Sequence, residues 1–171
     1  PVPTAAFAHI PEVPPDEIFN TGVRFRADPD PRKINLGVGA YRTDDDKPLV
    51  LNVVKKAESM IANDKSLNHE YLDIAGDTKF VNLSRAVLFG KDSPAIKENR
   101  IVSAQSLSGT GALRLGSEFI ARHLPKGTTI YYSKPTWGNH LSVFSAAGVP
   151  AKQYRYWDAK GRKLDINGLL E

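Results

Sequence analysis

Gln105-Ser106-Leu107-Ser108-Gly109-Thr110-Gly111-Ala112-Leu113-Arg114 is the stretch on which the reading of this chain turns. An apolar stretch beginning Ile101-Val102 precedes it and reads as a buried strand. Apolar residues at Ala112, Leu115, Phe119, Ile120 and Leu124 follow at helical spacing. A strand that stops in Ser, Gly and Thr and turns straight into a helix leaves backbone N–H groups pointing out of the helix start. Those donors, the small hydroxyls and the positive end of the helix dipole together favour a phosphate. The glycines let the backbone approach an anion, since no side chain intervenes. The same residues would also make an ordinary strand-to-helix turn with a Thr cap.

Two common nucleotide motifs are excluded. A Walker loop requires Lys after its last glycine, and Ser117 follows Gly116. A dinucleotide fingerprint begun at Gly109 and Gly111 requires a small residue where Arg114 stands, and that side chain would obstruct close helix–strand packing. The next segment narrows the ligand. Pro125-Lys126-Gly127 breaks the chain, and Thr128 to Ser133 reads as a β-branched and aromatic strand. It ends in Lys134-Pro135-Thr136-Trp137-Gly138-Asn139-His140, at a strand's carboxyl end, where α/β sheets bind ligands. An indole there can cover a flat ring, and an imidazole three residues on can hydrogen-bond a group that fixes the ring. Packing alone would also account for both residues. A phosphate cup beside an aromatic lid suits a phosphorylated aromatic cofactor.

Four motifs then converge. Ser108-Gly109-Thr110-Gly111-Ala112-Leu113-Arg114, Pro135-Thr136-Trp137-Gly138-Asn139-His140, Asn35-Leu36-Gly37-Val38-Gly39-Ala40-Tyr41-Arg42 and Asn68-His69-Glu70-Tyr71-Leu72 resemble aspartate aminotransferase, a pyridoxal-phosphate family of fold type I. The resemblance runs from about Phe7 to Glu171 and covers the first part of such a protein, well under half. It implies an α/β chain with an incomplete type I pyridoxal-phosphate transferase fold. Its parts would be an N-terminal arm (1–15), the first segment of a small domain (16–48) and the first part of a large, mainly parallel-sheet cofactor domain (49–171).

The resemblance also implies roles. Ser108, Gly109 and Thr110 match the turn that binds the phosphate of pyridoxal 5'-phosphate. Trp137 matches the indole stacked on the pyridine ring, which also donates its N–H to a substrate carboxylate. His140 matches a histidine supporting the carboxylate that pairs with the pyridinium nitrogen. Gly39 matches a glycine in a mobile loop closing over bound amino acid. Tyr71 matches a tyrosine reaching the phosphate in the neighbouring subunit, which implies a homodimer with shared sites. The family's Schiff-base lysine, its acid partner for the ring nitrogen and its second carboxylate-clamping arginine match no position in this chain. Lys134 is the only lysine near the expected ring site, and the family pattern gives it no such role. The implied reaction moves an amino group between L-aspartate and 2-oxoglutarate. A related enzyme acting on aromatic amino acids is an alternative. So is a non-catalytic chain that binds phosphate ligands or pairs with a full-length subunit.

Composition is compatible with this reading. The 171 residues, 41% hydrophobic, suffice for one core or much of a larger one. Without cysteine there is neither a disulfide framework nor a Cys-ligated zinc site. His9, His69, His123 and His140 show no metal-ligand spacing. No apolar run approaches the roughly 20 residues that span a bilayer. The net charge of +4 is spread along the chain rather than gathered into a nucleic-acid-binding patch. The lack of a starting Met points to a processed or trimmed chain, and no signal-peptide pattern is seen. The segment resemblances favour a cytosolic location over a mitochondrial one.

Further elements follow from pattern. Asp16-Glu17-Ile18-Phe19 begins a short helix, and Ile34-Asn35-Leu36 is expected as a strand. Val50 to Asp64 carries a stripe of Val50, Val53, Val54, Ala57, Met60 and Ile61. Thr78 to Phe89 is expected to bury Phe80, Leu83, Val87 and Leu88 and to stop at Gly90. A helix over 141–147 and a strand over 151–157 complete an alternation that implies a parallel sheet covered by helices. Asp73, where the family usually has proline, is expected to loosen the loop after Tyr71.

Overall fold

The structure, a computed structural model, describes residues 7–37 and 39–171; residues 1–6 of the expected arm, and Val38, lie outside them. Contacts group the chain into two units, Pro1–His69 and Glu70–Glu171.

In the first unit, α1 (Glu17–Ala27) starts where the sequence signals it. Asp16 Oδ1 accepts from Ile18 N at 2.9 Å and Phe19 N at 3.1 Å. Glu17 lies in the first turn and Arg24 and Arg26 in the last, each complementing the helix dipole. The strand expected over Ile34-Asn35-Leu36 does not form. Asn35 Oδ1 instead accepts from Gly37 N at 3.0 Å, and Asn35 N donates to Asp46 Oδ2 at 3.3 Å. Short polar side chains compete in this way with a ladder for backbone groups. A single antiparallel bridge, Arg42 to Pro48, then closes a turn in which Asp46 adopts φ 56°. α2 (Asn52–Asn63) has the expected amphipathic pattern, but its apolar stripe is exposed.

The second unit contains α3 (Thr78–Phe89), the short α4 (Pro94–Lys97), α5 (Ser108–His123), β1 (Ile130–Lys134), α6 (Gly138–Ala146), β2 (Ala151–Arg155), β3 (Trp157–Asp158), β4 (Lys163–Leu164) and α7 (Ile166–Leu170). β1 and β2 are parallel, with Ile130 opposite Ala151 and Lys134 opposite Arg155. α6 is their crossover and packs on both β2 and α5. This is the expected βαβ unit. β3 and β4 pair antiparallel. Among the described residues, no helix is long and apolar enough to cross a membrane.

The core gathers where α6 meets the sheet: Val143, Phe144 and Val149 are buried, Phe144 to 7% exposure. Ser117 on α5 is 2% exposed, and its hydroxyl donates to Leu113 O at 2.7 Å, so its burial leaves no orphaned polar group.

Several expectations are corrected. The stretch from Ile101 forms no strand, and Val102 is 97% exposed. Its backbone is used elsewhere: Arg85 Nη1 donates to Ile101 O at 3.1 Å, and Gln105 N donates to Ala75 O at 2.9 Å. α3 spans its expected residues, capped by Asp77 accepting from Phe80 N at 2.7 Å and stopped at Gly90 with φ 82°. Yet Phe80, Leu83, Val87 and Leu88 are exposed, Val87 to 88%. A two-stranded sheet lacks the area to cover every apolar helix face in the chain. α6 begins at Gly138 rather than Leu141, because the turn at Trp137 starts the helix before its apolar pattern appears. The strand expected over 151–157 breaks at Tyr156, whose carbonyl accepts from Asp165 N at 2.9 Å as the chain changes partner from β1 to β4.

Candidate functional site

The first intrahelical bond of α5 runs from Gly111 N to Leu107 O at 3.1 Å. The N–H groups of Ser108, Gly109 and Thr110 therefore precede the ladder and face out of the helix start. The N-cap position is Leu107, which has no capping side chain, so a Thr cap is not what these residues make. Ser108 adopts φ 56°, a left-handed conformation unfavourable for a residue with a Cβ. A Cβ on Gly109 would meet nothing within 4 Å, so that side of the turn is open space. Outward donors beside open space are an arrangement that can receive an anion.

α6 supplies the opposite wall. Trp137, His140 and Phe144 recur at helical spacing and face one cavity of about 750 Å³ that also touches Ser108, Gly109 and Thr110. The Trp137 and His140 rings meet edge to face at 5.8 Å, and His140 lies nearly parallel to Phe144 at 6.4 Å. Thr136 Oγ1 and His140 Nδ1 share a hydrogen bond at 2.7 Å, which leaves Nε2 as the imidazole's other polar atom. The two helix starts are joined directly: Asn139 Nδ2 donates to Thr110 Oγ1 at 3.2 Å. Sequence reasoning quoted Thr136 and Asn139 within a motif but assigned them nothing. Their place in the first turn beside Trp137 was the available signal.

The structure thus brings five of the seven expected site residues, Ser108, Gly109, Thr110, Trp137 and His140, to one cavity. Tyr71 lies elsewhere in the same unit, 96% exposed, and Gly39 belongs to the other unit, exposed and with open space around it. Lys134 does not line the cavity.

The turn that follows Tyr71 is hydrogen-bonded within itself and to Gln105. Gly76 N donates to Asp73 O at 2.8 Å, Gln105 N to Ala75 O at 2.9 Å, and Asp77 N to Gln105 Oε1 at 2.9 Å. Gly76 has φ 90°, and a Cβ there would lie 2.2 Å from Gln105 Cβ.

The residues fit a phosphorylated aromatic group. Donors with adjoining open space meet a wall of indole and imidazole, and the cavity exceeds what one such ring needs. Among the described residues the cavity lining carries no Lys or Arg, and the donors this chain offers an anion there are neutral groups at the positive end of the α5 dipole. Among those residues no group of three or more His, Cys, Asp or Glu could hold a metal ion.

Comparison with known proteins places these motifs in context. The chain is 52% identical over 168 residues to a rice (Oryza sativa subsp. japonica) protein named aspartate aminotransferase, cytoplasmic, covering 98% of this chain and 41% of the relative. The structure superposes on the cytoplasmic aspartate aminotransferase of Saccharomyces cerevisiae with a TM-score of 0.84 at 43% identity, over 96% of this chain and 40% of that one. It superposes equally well, at 0.84 and 37% identity, on an aromatic-amino-acid aminotransferase of Burkholderia pseudomallei covalently bound to pyridoxal phosphate, over 97% of this chain and 41% of the other. The chain therefore spans about two fifths of the length of these proteins. Residues 31–171 match the family described as aminotransferase class I and II. On that match, the incomplete type I fold and the motifs that build its cavity, the chain belongs to the aminotransferase class I and II family.

Proposed function

We propose that the protein carrying this chain moves an amino group between L-aspartate and 2-oxoglutarate with pyridoxal 5'-phosphate as cofactor. The observation that carries this reading is the meeting of the α5 helix start with Trp137 and His140 on one cavity. The cofactor supplies an electron sink for carbanion chemistry. The chain's own residues bind and orient. Ser108, Gly109 and Thr110 hold the phosphate through backbone N–H groups and hydroxyls. Trp137 covers the ring and offers its indole N–H to a substrate carboxylate. His140, its Nδ1 engaged by Thr136, offers Nε2 to the acid that would face the pyridinium nitrogen. Gly39 serves a closing loop, and Tyr71 reaches the phosphate of a second subunit in a homodimer. Both rest on the family resemblance, as does the division into arm, small-domain segment and large-domain segment. A cytosolic location agrees with the name of the rice relative.

The Burkholderia structure favours a second reading, in which aromatic amino acids are the substrates. Steady-state kinetics on the protein expressed from its complete coding sequence separate the two. The proposal expects kcat/KM for aspartate to exceed that for phenylalanine and tyrosine, and the reverse order overturns it. Trp137→Phe keeps the stack and removes the N–H donor, so KM for aspartate should rise more than the cofactor dissociation constant. An unchanged KM would remove Trp137 from substrate binding.

A further inference from the structure

We propose that Asn139 is a positioning residue for the phosphate cup: by donating to Thr110 Oγ1 it directs the Thr110 hydroxyl proton onto the phosphate. The inference rests on the function proposed above and assigns a role to a side chain outside the expected site.

A threonine hydroxyl has one proton to give and lone pairs to accept with, whereas an amide NH2 only donates. The Asn139 Nδ2 to Thr110 Oγ1 bond of 3.2 Å therefore uses an acceptor site on the threonine and leaves its proton for another partner. Thr110 is exposed in the first turn of α5, beside the outward N–H groups of Ser108 and Gly109, and touches the cavity. An anion seated there is the acceptor on that side. A hydroxyl that accepts one hydrogen bond is also polarised toward donating the next.

The same bond has a geometric consequence. Asn139 is in the first turn of α6, two residues after Trp137, and Thr110 is in the first turn of α5. One side-chain bond across 29 residues of sequence thus links the helix start that follows Trp137 to the turn at Ser108–Thr110. α5 and α6 also pack against each other, which does not by itself settle the facing of a terminal hydroxyl.

The test is a double-mutant cycle in the protein expressed from its complete coding sequence, stripped of cofactor. Dissociation constants are measured for pyridoxal 5'-phosphate and for pyridoxal, which lacks the phosphate. Thr110→Val should weaken the phosphorylated ligand by roughly tenfold or more and pyridoxal little. Asn139→Ala should weaken the phosphorylated ligand by roughly three- to tenfold, again sparing pyridoxal, and should add nothing once Thr110 is Val. Asn139→Asp presents only acceptors, takes the hydroxyl proton, and should be worse than Asn139→Ala; the part of its effect due to repulsion between charges should persist with Thr110→Val and the rest vanish. If Thr110→Val leaves the phosphorylated ligand unaffected, the phosphate reading of the cup itself fails. If Thr110→Val weakens it but Asn139→Ala acts additively, or weakens pyridoxal equally, Asn139 is only structural support and the inference is overturned.

Discussion

Val102 and Gln105 stand three residues apart on one segment and meet opposite fates. Gln105 is tied by its backbone and side chain to the turn at 75–77, just ahead of the start of α5. Val102 is 97% exposed in a stretch whose apolar character suggested burial. The same contrast recurs on a larger scale. The α5 and α6 starts are joined by Asn139 and Thr110 and walled by stacked rings, whereas the apolar faces of α2 and α3 face open space. The difference teaches that polar joints are satisfied by one or two nearby partners, while an apolar face is satisfied only by area.

That contrast can be broken by truncation. Phe144 is buried in the crossover core, and Phe144→Ala in the protein expressed from its complete coding sequence should lose about 3–5 kcal/mol of unfolding free energy, read from denaturant midpoints. Val87, exposed on α3, should cost under about 0.5 kcal/mol as Val87→Ala. A Val87 loss approaching that of Phe144 would show that α3 is covered in the whole protein, and the contrast would then belong to this stretch of chain alone.

What was legible in the sequence divides along the same line. The acidic start at Asp16-Glu17 and the stop at Gly90 act within a turn of the chain, so α1 began and α3 ended as read. That Ser108, Gly109, Thr110, Trp137 and His140 would meet at one place was legible because Ser, Gly, Thr, Trp and His stand out at strand ends and helix starts. Burial was not legible, because a stripe such as Val50 to Ile61 states that a face is made to be covered and says nothing of what covers it. Strand formation at Ile101 and Ile34 failed for a related reason: a ladder needs a partner, and Arg85, Gln105 and Asn35 offered closer uses for the backbone. The Asn139 to Thr110 bond was hidden because the two residues are remote in sequence and each alone looks like a helix-start residue.

The Gln105 joint offers a sharper probe of the polar side of the comparison. Gly76→Ala would force a side chain into φ 90° and place its Cβ 2.2 Å from Gln105 Cβ and 2.6 Å from Oε1. The backbone must shift, at a cost on the order of 1–3 kcal/mol. Amide hydrogen exchange should quicken at Asp77 and Gln105 before it does in α6. Unchanged protection at both would mean the turn at 73–77 is held by something other than Gln105.

The smallest expected effect lies on the outer face of α5. Glu118 accepts from Arg114 Nε at 2.9 Å and Nη2 at 2.6 Å, and from Arg122 Nε at 3.1 Å. The Arg114 guanidinium, then Arg122, holds the Glu118 carboxyl below its usual value. A carboxyl whose folded value is depressed stabilises the fold above the unfolded value, and that contribution is lost as pH falls through the folded one. Glu118→Gln should therefore be less stable than the parent at neutral pH, by less than Gly76→Ala, and the gap should close on acidification. Because the group is only partly buried, high salt should narrow the gap as well. A gap that persisted in acid would assign the loss to side-chain packing rather than charge. This face of α5 would then resemble the area-dependent faces of α2 and α3 more than the locally satisfied cup at its own N-terminus.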